Sequence, residues 1–313
     1  MTAPTPDPGA SAPRTGRRRA SRAGSHALLP GEPQLAPPLV STEHLTPETR
    51  HGADIPVTLS SSSVFPLGTQ DVFAMAQDLG YDGVEVMVTH NAYSQDADRL
   101  ATLAERTGLR IDSIHAPTLL FTQQVWGTAW SKIERSVELA RAVGARTVVA
   151  HPPFRWQGTY ASQFARRIAE IMVETGVVIA VENMYPWRAR GRELTMYLPH
   201  WDPVPEPYEH VTWDFSHAAI AREDSLANVR GLGRRLRHVH LTDGVDGTKD
   251  AHLVPGEGTQ DVAASLRHLG RAGLAGSVCV EVGTRGVSYA GEREEKLAAS
   301  LAFAREHLAA ADD

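Results

Sequence analysis

The sequence predicts a (β/α)8 TIM barrel, an α/β fold in which eight parallel strands alternate with helices. Three observations predict it. Short apolar runs alternate with helical stretches down the whole chain. A run such as YDGVEVMV is almost continuously apolar, as a strand covered on both faces must be. And acidic or histidine residues recur where one run after another ends: His115 in SIHAP, His151 in VVAHPP, Glu182 in VIAVENM, Asp214 and His217 in VTWDFSHA, His240 in HVHLTD, Asp250 and His252 in KDAHLVPGEG, and Glu281 in VCVEVG. In a barrel those strand ends converge on one site.

The elements follow in order. VTLSSSSV is the first strand and TQDVFAMAQDLG its helix, with Thr69 placed to cap it and Gly80 to stop it. YDGVEVMV and the helix DADRLATLAERTG come next, then the strand LRIDSIHAP. SKIERSVELARAVG leads into RTVVAHPP, and YASQFARRIAEIMVETG into VVIAVENM. After a long loop come HVTWDFSHA, the helix SLANVRGLGRRL and the strand RHVHLTD. TQDVAASLRHLGRAG precedes the last strand, SVCVEVG, and EREEKLAASLAFAREHLAA closes the chain. An open doubly wound sheet would need a Gly-rich phosphate-binding turn after the first strand, and the serine run there is no such turn.

The chain has 313 residues, which suits one barrel of about 250 residues with an extension. Residues 1–50, rich in Pro, Ala, Gly, Ser and Arg, bury too little to offset their ordering entropy and are expected to be a disordered, dispensable tail. Residues 51–313 are the catalytic barrel. The formal charge of −6, with an arginine cluster confined to the tail, argues against a nucleic-acid surface, although a local basic cleft can sit on an acidic protein. One cysteine, Cys279, excludes an intramolecular disulfide framework and points to a reducing cytoplasm. No stretch reaches the roughly 20 apolar residues of a membrane span, and the arginine cluster is not followed by the apolar segment of a signal peptide.

Imidazole and carboxylate are the side chains divalent metals prefer. A lone histidine at a strand end is commonly structural, and a lone aspartate there commonly caps a helix. Number and place carry the argument: carboxylates ending the fifth, sixth and eighth predicted strands, with a histidine on the seventh, share one pocket. Held that close without a cation they repel or must carry protons. A divalent ion removes the conflict.

At this point the pattern resembles the xylose-isomerase-like TIM-barrel superfamily, over residues 55–305. That superfamily holds sugar-phosphate isomerases and epimerases and the apurinic endonucleases of the endonuclease IV type. The epimerase branch implies one metal, often manganese, on Glu182, Asp214, His240 and Glu281. The endonuclease branch implies three zinc ions. His115, His151 and Glu182 would hold one, and Glu182 would bridge to the second on Asp214, His240 and Glu281. His217, Asp250 and His252 would hold the third. The resemblance thus implies Zn2+ or Mn2+, one to three ions.

The loop after the fifth strand departs from the repair-enzyme pattern. It reads MYPWRARGRELTMYLPHWDPVPEPY, and Trp187, Arg188, Arg190 and Arg192, with Arg155 and Trp156 after the fourth strand, fit a lid over a small anionic substrate, or equally a solvated basic loop. Trp187, Arg188, Arg190 and Arg155 are the candidate substrate contacts. The expected activity is isomerisation or epimerisation of a small sugar or sugar phosphate through a metal-stabilised enediolate, with Glu182 and Glu281 as acid and base, as in the epimerases the chain resembles. The alternative is phosphoester hydrolysis at a trinuclear zinc centre. Glu85, inside an apolar run, reads either as a pocket residue or as the partner of a basic group in the barrel. Glu257 reads as a turn former.

Overall fold

The computed structural model describes residues 49–118, 122, 124–189 and 192–310. All but Thr49 and Arg50 of the predicted tail lie outside these residues. The barrel strands are β1 (Val57–Ser60), β2 (Gly83–Met87), β3 (Arg110–His115), β4 (Thr147–Ala150) and β5 (Val178–Glu182). A two-stranded antiparallel hairpin follows, β6 (Trp187–Ala189) and β7 (Arg192–Leu194). β8 (Val211–Asp214), β9 (Leu236–Leu241) and β10 (Ser277–Val280) complete the barrel, and β10 pairs with β1 to close a ring of eight parallel strands. The predicted fold class is the observed one.

Helices α1 (Thr69–Leu79), α2 (Ala97–Thr107), α3 (Ala129–Val143) and α4 (Thr159–Thr175) cross between the early strands. α5 (Phe215–Ala221) and α6 (Ser225–Leu232) follow β8, α7 (Val262–Ala272) follows β9, and α8 (Glu292–Ala309) closes the chain. Every residue of β4, β5, β8, β9 and β10 is buried, which is why these runs read as solidly apolar. Leu59, Val84, Ile114, Val148, Ile179, Trp213, Val239 and Val278 belong to one core cluster with the inward faces of the helices. No described helix is long and apolar enough to cross a membrane.

Three local departures from the predicted elements have physical causes. β1 stops at Ser60, because the serines fold into a turn in which Ser63 N donates to Ser60 O. The predicted sixth strand ends four residues early, at Asp214. Its carboxylate accepts from His217 N at 2.8 Å and so caps α5. And the basic loop after β5 contains the β6–β7 hairpin, in which Trp187 pairs with Leu194. A smaller shift concerns α1: Gly68 rather than Thr69 is its cap, with Gly68 N donating to Asp71 Oδ2 at 2.7 Å. Gly80 ends that helix in the left-handed region, φ 82°.

The closing helices meet at a point that admits no side chain. Gly270 on α7 is buried, and a Cβ there would fall 2.1 Å from Leu308 O on α8. Gly270→Ala is therefore expected to push α8 off the barrel and to cost about 1–3 kcal/mol, the usual range for overpacking. Thermal unfolding of the purified variant checks this, and an unchanged melting temperature contradicts it.

Candidate metal centre

All nine predicted ligands meet at the carboxyl end of the barrel. Three overlapping groups place one donor atom from each member within 4.8 Å of the others: His115, His151 and Glu182; Glu182, Asp214, His240 and Glu281; and Asp214, His217 and His252. Asp250 joins the third group, its Oδ2 lying 3.1 Å from His217 Nε2 and 3.0 Å from His252 Nε2. Glu182 lies between the first two groups. Its Oε2 is 3.4 Å from His115 Nε2 and 3.0 Å from His151 Nε2, while its Oε1 is 3.0 Å from His240 Nδ1. Glu281 Oε2 stands 2.9 Å from that same nitrogen.

Backbone and neighbouring side chains aim these groups. Asp214 uses Oδ1 to cap α5, which explains the D-x-x-H spacing. The cap fixes the first turn of the helix, and His217 sits on that turn. Asn183, directly after Glu182, clasps Asp214: its side chain donates to Asp214 O at 2.9 Å and accepts from Asp214 N at 2.6 Å. Its own carbonyl lies 2.8 Å from His217 Nδ1. A carbonyl only accepts, so that nitrogen carries a proton, and Nε2 is the nitrogen turned to Asp250, the one whose proton an ion would displace. Ser216 Oγ donates to Asp250 Oδ1 at 2.7 Å and accepts from His252 N at 3.2 Å. Ser62 Oγ donates to Glu281 Oε1 at 2.8 Å. His252 itself adopts φ 44°, a left-handed conformation that costs a non-glycine residue energy and collects at functional sites. Asp243, wholly buried, holds the following loop by accepting from the backbone N of Gly244, Gly256, Gly258 and Gln260. Glu257 takes part only in the turn of that loop, through its N to Val254 O.

Asn183, Ser62, Ser216 and Asp243 are residues that sequence reasoning did not single out. Asn183 and Ser216 are each adjacent to a named ligand or within two residues of one, which was the available signal.

The donor set fits a divalent cation. Asp214 Oδ2 is buried without a hydrogen-bond partner, and Glu182 Oε2, close to His115 and His151, makes no directed hydrogen bond with either, which for acceptors of this charge is costly unless an ion meets them. Within the protein alone, protons do the neutralising. Burial would raise the Glu182 carboxyl, but His240 and His151 beside it hold it well below the usual carboxylate range. Burial raises Asp214, with the Glu182 and Asp250 carboxylates adding to the effect. Burial opposes charge on His240, yet Glu281, Glu182 and Glu85 lift it well above the ordinary imidazole value. His252 is lifted against its burial to about 10 by Asp250.

Around the centre, Trp187 packs on a small apolar cluster of Phe154, Met184 and Tyr197. Trp156, 56% exposed, stacks on Phe154 at 4.5 Å between ring centroids. Arg188 donates Nε to Glu193 Oε1 at 3.0 Å and Nη1 to Gly247 O at 2.8 Å, tying the hairpin to the segment after β9. Arg155 is exposed and donates to Thr195 O at 3.3 Å. Arg190 lies outside the described residues. On the opposite side, Ser61, Ser62, Phe65, Leu67, Thr69, Met87, Thr89 and Asn91 line a recess of about 270 Å³. A larger cavity, of about 550 Å³, is lined by residues at the amino end of β9, such as Arg234, Leu236 and Gly273, and by none of the nine ligands.

Metals take neutral imidazole, so an ion entering this centre displaces the protons now held by His240, His217 and His252. Uptake is expected to release protons, and apparent affinity to rise between about pH 6 and about pH 8. Calorimetric titration in two buffers of different ionisation enthalpy reads the release directly; equal heats in both would contradict it.

Residues 73–307 match the model of the family described as xylose isomerase-like TIM barrel. An uncharacterized protein of Mycobacterium leprae is 44% identical over 274 residues, spanning 81% of this chain and 98% of its own length. The fructoselysine 3-epimerase of Shigella flexneri is 23% identical over 243 residues, spanning 70% of this chain and 86% of its own. The crystal structure of an AP endonuclease, family 2, from Brucella melitensis shares the fold. Its TM-score is 0.56 at 19% identity, over 78% of this chain and 97% of that one. The chain belongs to the xylose isomerase-like TIM barrel family.

Proposed function

We propose that the protein is a divalent-metal-dependent isomerase or epimerase of a small sugar or sugar phosphate. The observation that carries this reading is the placement of Glu182 Oε1 and Glu281 Oε2 at 3.0 Å and 2.9 Å from the same nitrogen of His240. Two carboxylates from β5 and from the end of β10 thus face one point across the barrel. Proton removal on one face of a carbon and return on the other needs that arrangement.

Glu182, Asp214, His240 and Glu281 would hold the central ion. When bound, it supplies Lewis-acid polarisation of the substrate carbonyl and charge stabilisation of the enediolate. Glu281, with Ser62 donating to its Oε1, keeps Oε2 directed at the centre. Glu182 is fixed by His115 and His151. One takes a proton from the carbon next to the carbonyl and the other delivers one. The recess beside Ser62 offers hydroxyls and the Asn91 amide together with Phe65, Leu67 and Met87, a mixture suited to a polyol chain. Arg188 gives Nε to Glu193 and Nη1 to Gly247 O, and Arg155 gives Nη1 to Thr195 O, so each keeps a further N–H for a phosphate or carboxylate on the substrate. The 3-epimerase among its relatives supports the same reaction class.

A second reading rests on a separate observation. The groups His115–His151–Glu182 and His217–Asp250–His252 are also assembled, as three zinc ions for phosphoester hydrolysis would require. Metal content separates the two: elemental analysis giving one ion per chain supports the epimerase, and about three zinc ions support the hydrolase. On an accepted ketose at saturating metal, Glu281→Gln is expected to lower kcat by about 10²–10⁴-fold and to stop solvent-hydrogen exchange at the reacting carbon. Near-normal turnover by that variant would refute the proton-transfer scheme.

A further inference from the structure

The histidines of the centre are fixed in two different ways. His115, His217 and His252 each turn Nδ1 to a backbone carbonyl, Ala116 O at 2.9 Å, Asn183 O at 2.8 Å and Glu281 O at 2.7 Å, and present Nε2 to the centre. His240 is reversed. Its Nδ1 faces Glu182 and Glu281, and its Nε2, buried without a directed hydrogen bond, has Glu85 Oε1 at the ion-pair distance of 3.3 Å. Among the described residues no other carboxylate reaches that nitrogen.

Glu85 is wholly buried. Barrel interiors are normally packed with branched apolar side chains, and a buried carboxylate is expensive unless something requires it. Here the surrounding strands are shaped to keep it. Ser113 Oγ donates to Oε2 at 2.8 Å and Ser60 Oγ to Oε1 at 3.3 Å. His238 Nε2 stands 2.9 Å from Oε2, and its Nδ1 lies 3.0 Å from Ser277 Oγ. The β2–β3 register slips at this level: Val84 faces Ile111, but Glu85 faces Ser113, so Asp112 is skipped. A bulge of this kind re-aims a side chain, and this one brings the Ser113 hydroxyl to the glutamate.

We infer that Glu85 is the positioning residue of the central ion, its carboxylate facing Nε2 of His240 from inside the barrel so that Nδ1 is presented to the ion. The proton must sit on Nε2 when Nδ1 donates its lone pair, and a carboxylate acceptor both selects that tautomer and increases the basicity of the ligating nitrogen. Ser60, Ser113 and His238 fix the carboxylate in turn. Glu85, His238 and Cys279 also approach one another within 4.8 Å, but the Glu85 carboxylate is already engaged by Ser60, Ser113, His238 and His240. The group is a support for the centre above it and not a further metal site.

The inference rests on the metal-dependent reading, and the experiment keeps the two apart. Full-length wild type, Glu85→Gln and Glu85→Asp are stripped of metal and titrated with Co2+ alone, following the visible ligand-field bands. Glu85→Gln is expected to bind Co2+ about 10- to 100-fold more weakly with altered bands, and Glu85→Asp to recover part of the loss. If Glu85→Gln folds and binds Co2+ with wild-type affinity and spectrum, Glu85 merely fills the barrel and the inference is overturned. If wild type takes up no Co2+, both the inference and the metal-dependent reading fail. Should Glu85→Gln not fold, Ser113→Ala retains the carboxylate without its 2.8 Å hydrogen bond. It is expected to weaken Co2+ binding about fivefold, the equivalent of one hydrogen bond, and unchanged affinity there overturns the inference.

Discussion

The structure depends on one electrostatic constraint: three buried carboxylates, Glu182, Asp214 and Glu281, are held around a single imidazole. No flexible scaffold could hold them, because mutual repulsion and the cost of burial would drive them apart. The closed barrel can. Each carboxylate sits at the end of a strand or one residue beyond it, and those strands are hydrogen-bonded to neighbours on both sides. The remaining freedom is removed locally, by the helix cap at Asp214, by the Asn183 clasp and by the Ser62 hydroxyl on Glu281. The stability of the ring of strands and the placement of the charges are therefore one problem, solved by the same backbone.

The residues legible from sequence were those whose chemistry contrasts with their surroundings. A charged or histidine side chain ending an apolar run stands out, so the ligand-type residues at the ends of β3, β4, β5, β8, β9 and β10 were legible by position, whereas Asp250 and His252 lie on the loop after β9 and not at a strand end. The strands were legible for the same reason, since a parallel barrel buries both faces and writes continuous apolar runs. The residues that escaped are those whose role depends on partners distant in the chain. Asn183 acts on Asp214, thirty-one positions away, and Asp243 acts through backbone amides of a later loop. The β6–β7 hairpin escaped because WRARGREL has no alternating apolar pattern. It is held by the aromatic cluster beneath it and by the salt bridge between Arg188 and Glu193. Nor could spacing show that Arg188 gives Nη1 to Gly247 O, because Gly247 lies on another segment entirely.

The walls of the centre are coupled to one another as well as to the floor. Arg188 joins the hairpin to Gly247, and both carboxylate oxygens of Asp246, next to it, share the Nε–H of Arg222 just after α5. The loop that carries Asp250 and His252 is thereby linked to the hairpin on one side and to the helix bearing His217 on the other. Its far end is held by Asp243. The central groups are tied to the same network. Asp214 caps the helix bearing His217, Asn183 O meets His217 Nδ1, and Glu281 O meets His252 Nδ1. The strands set the core of the centre, and the outer histidines take their orientation from it as well as from the loops.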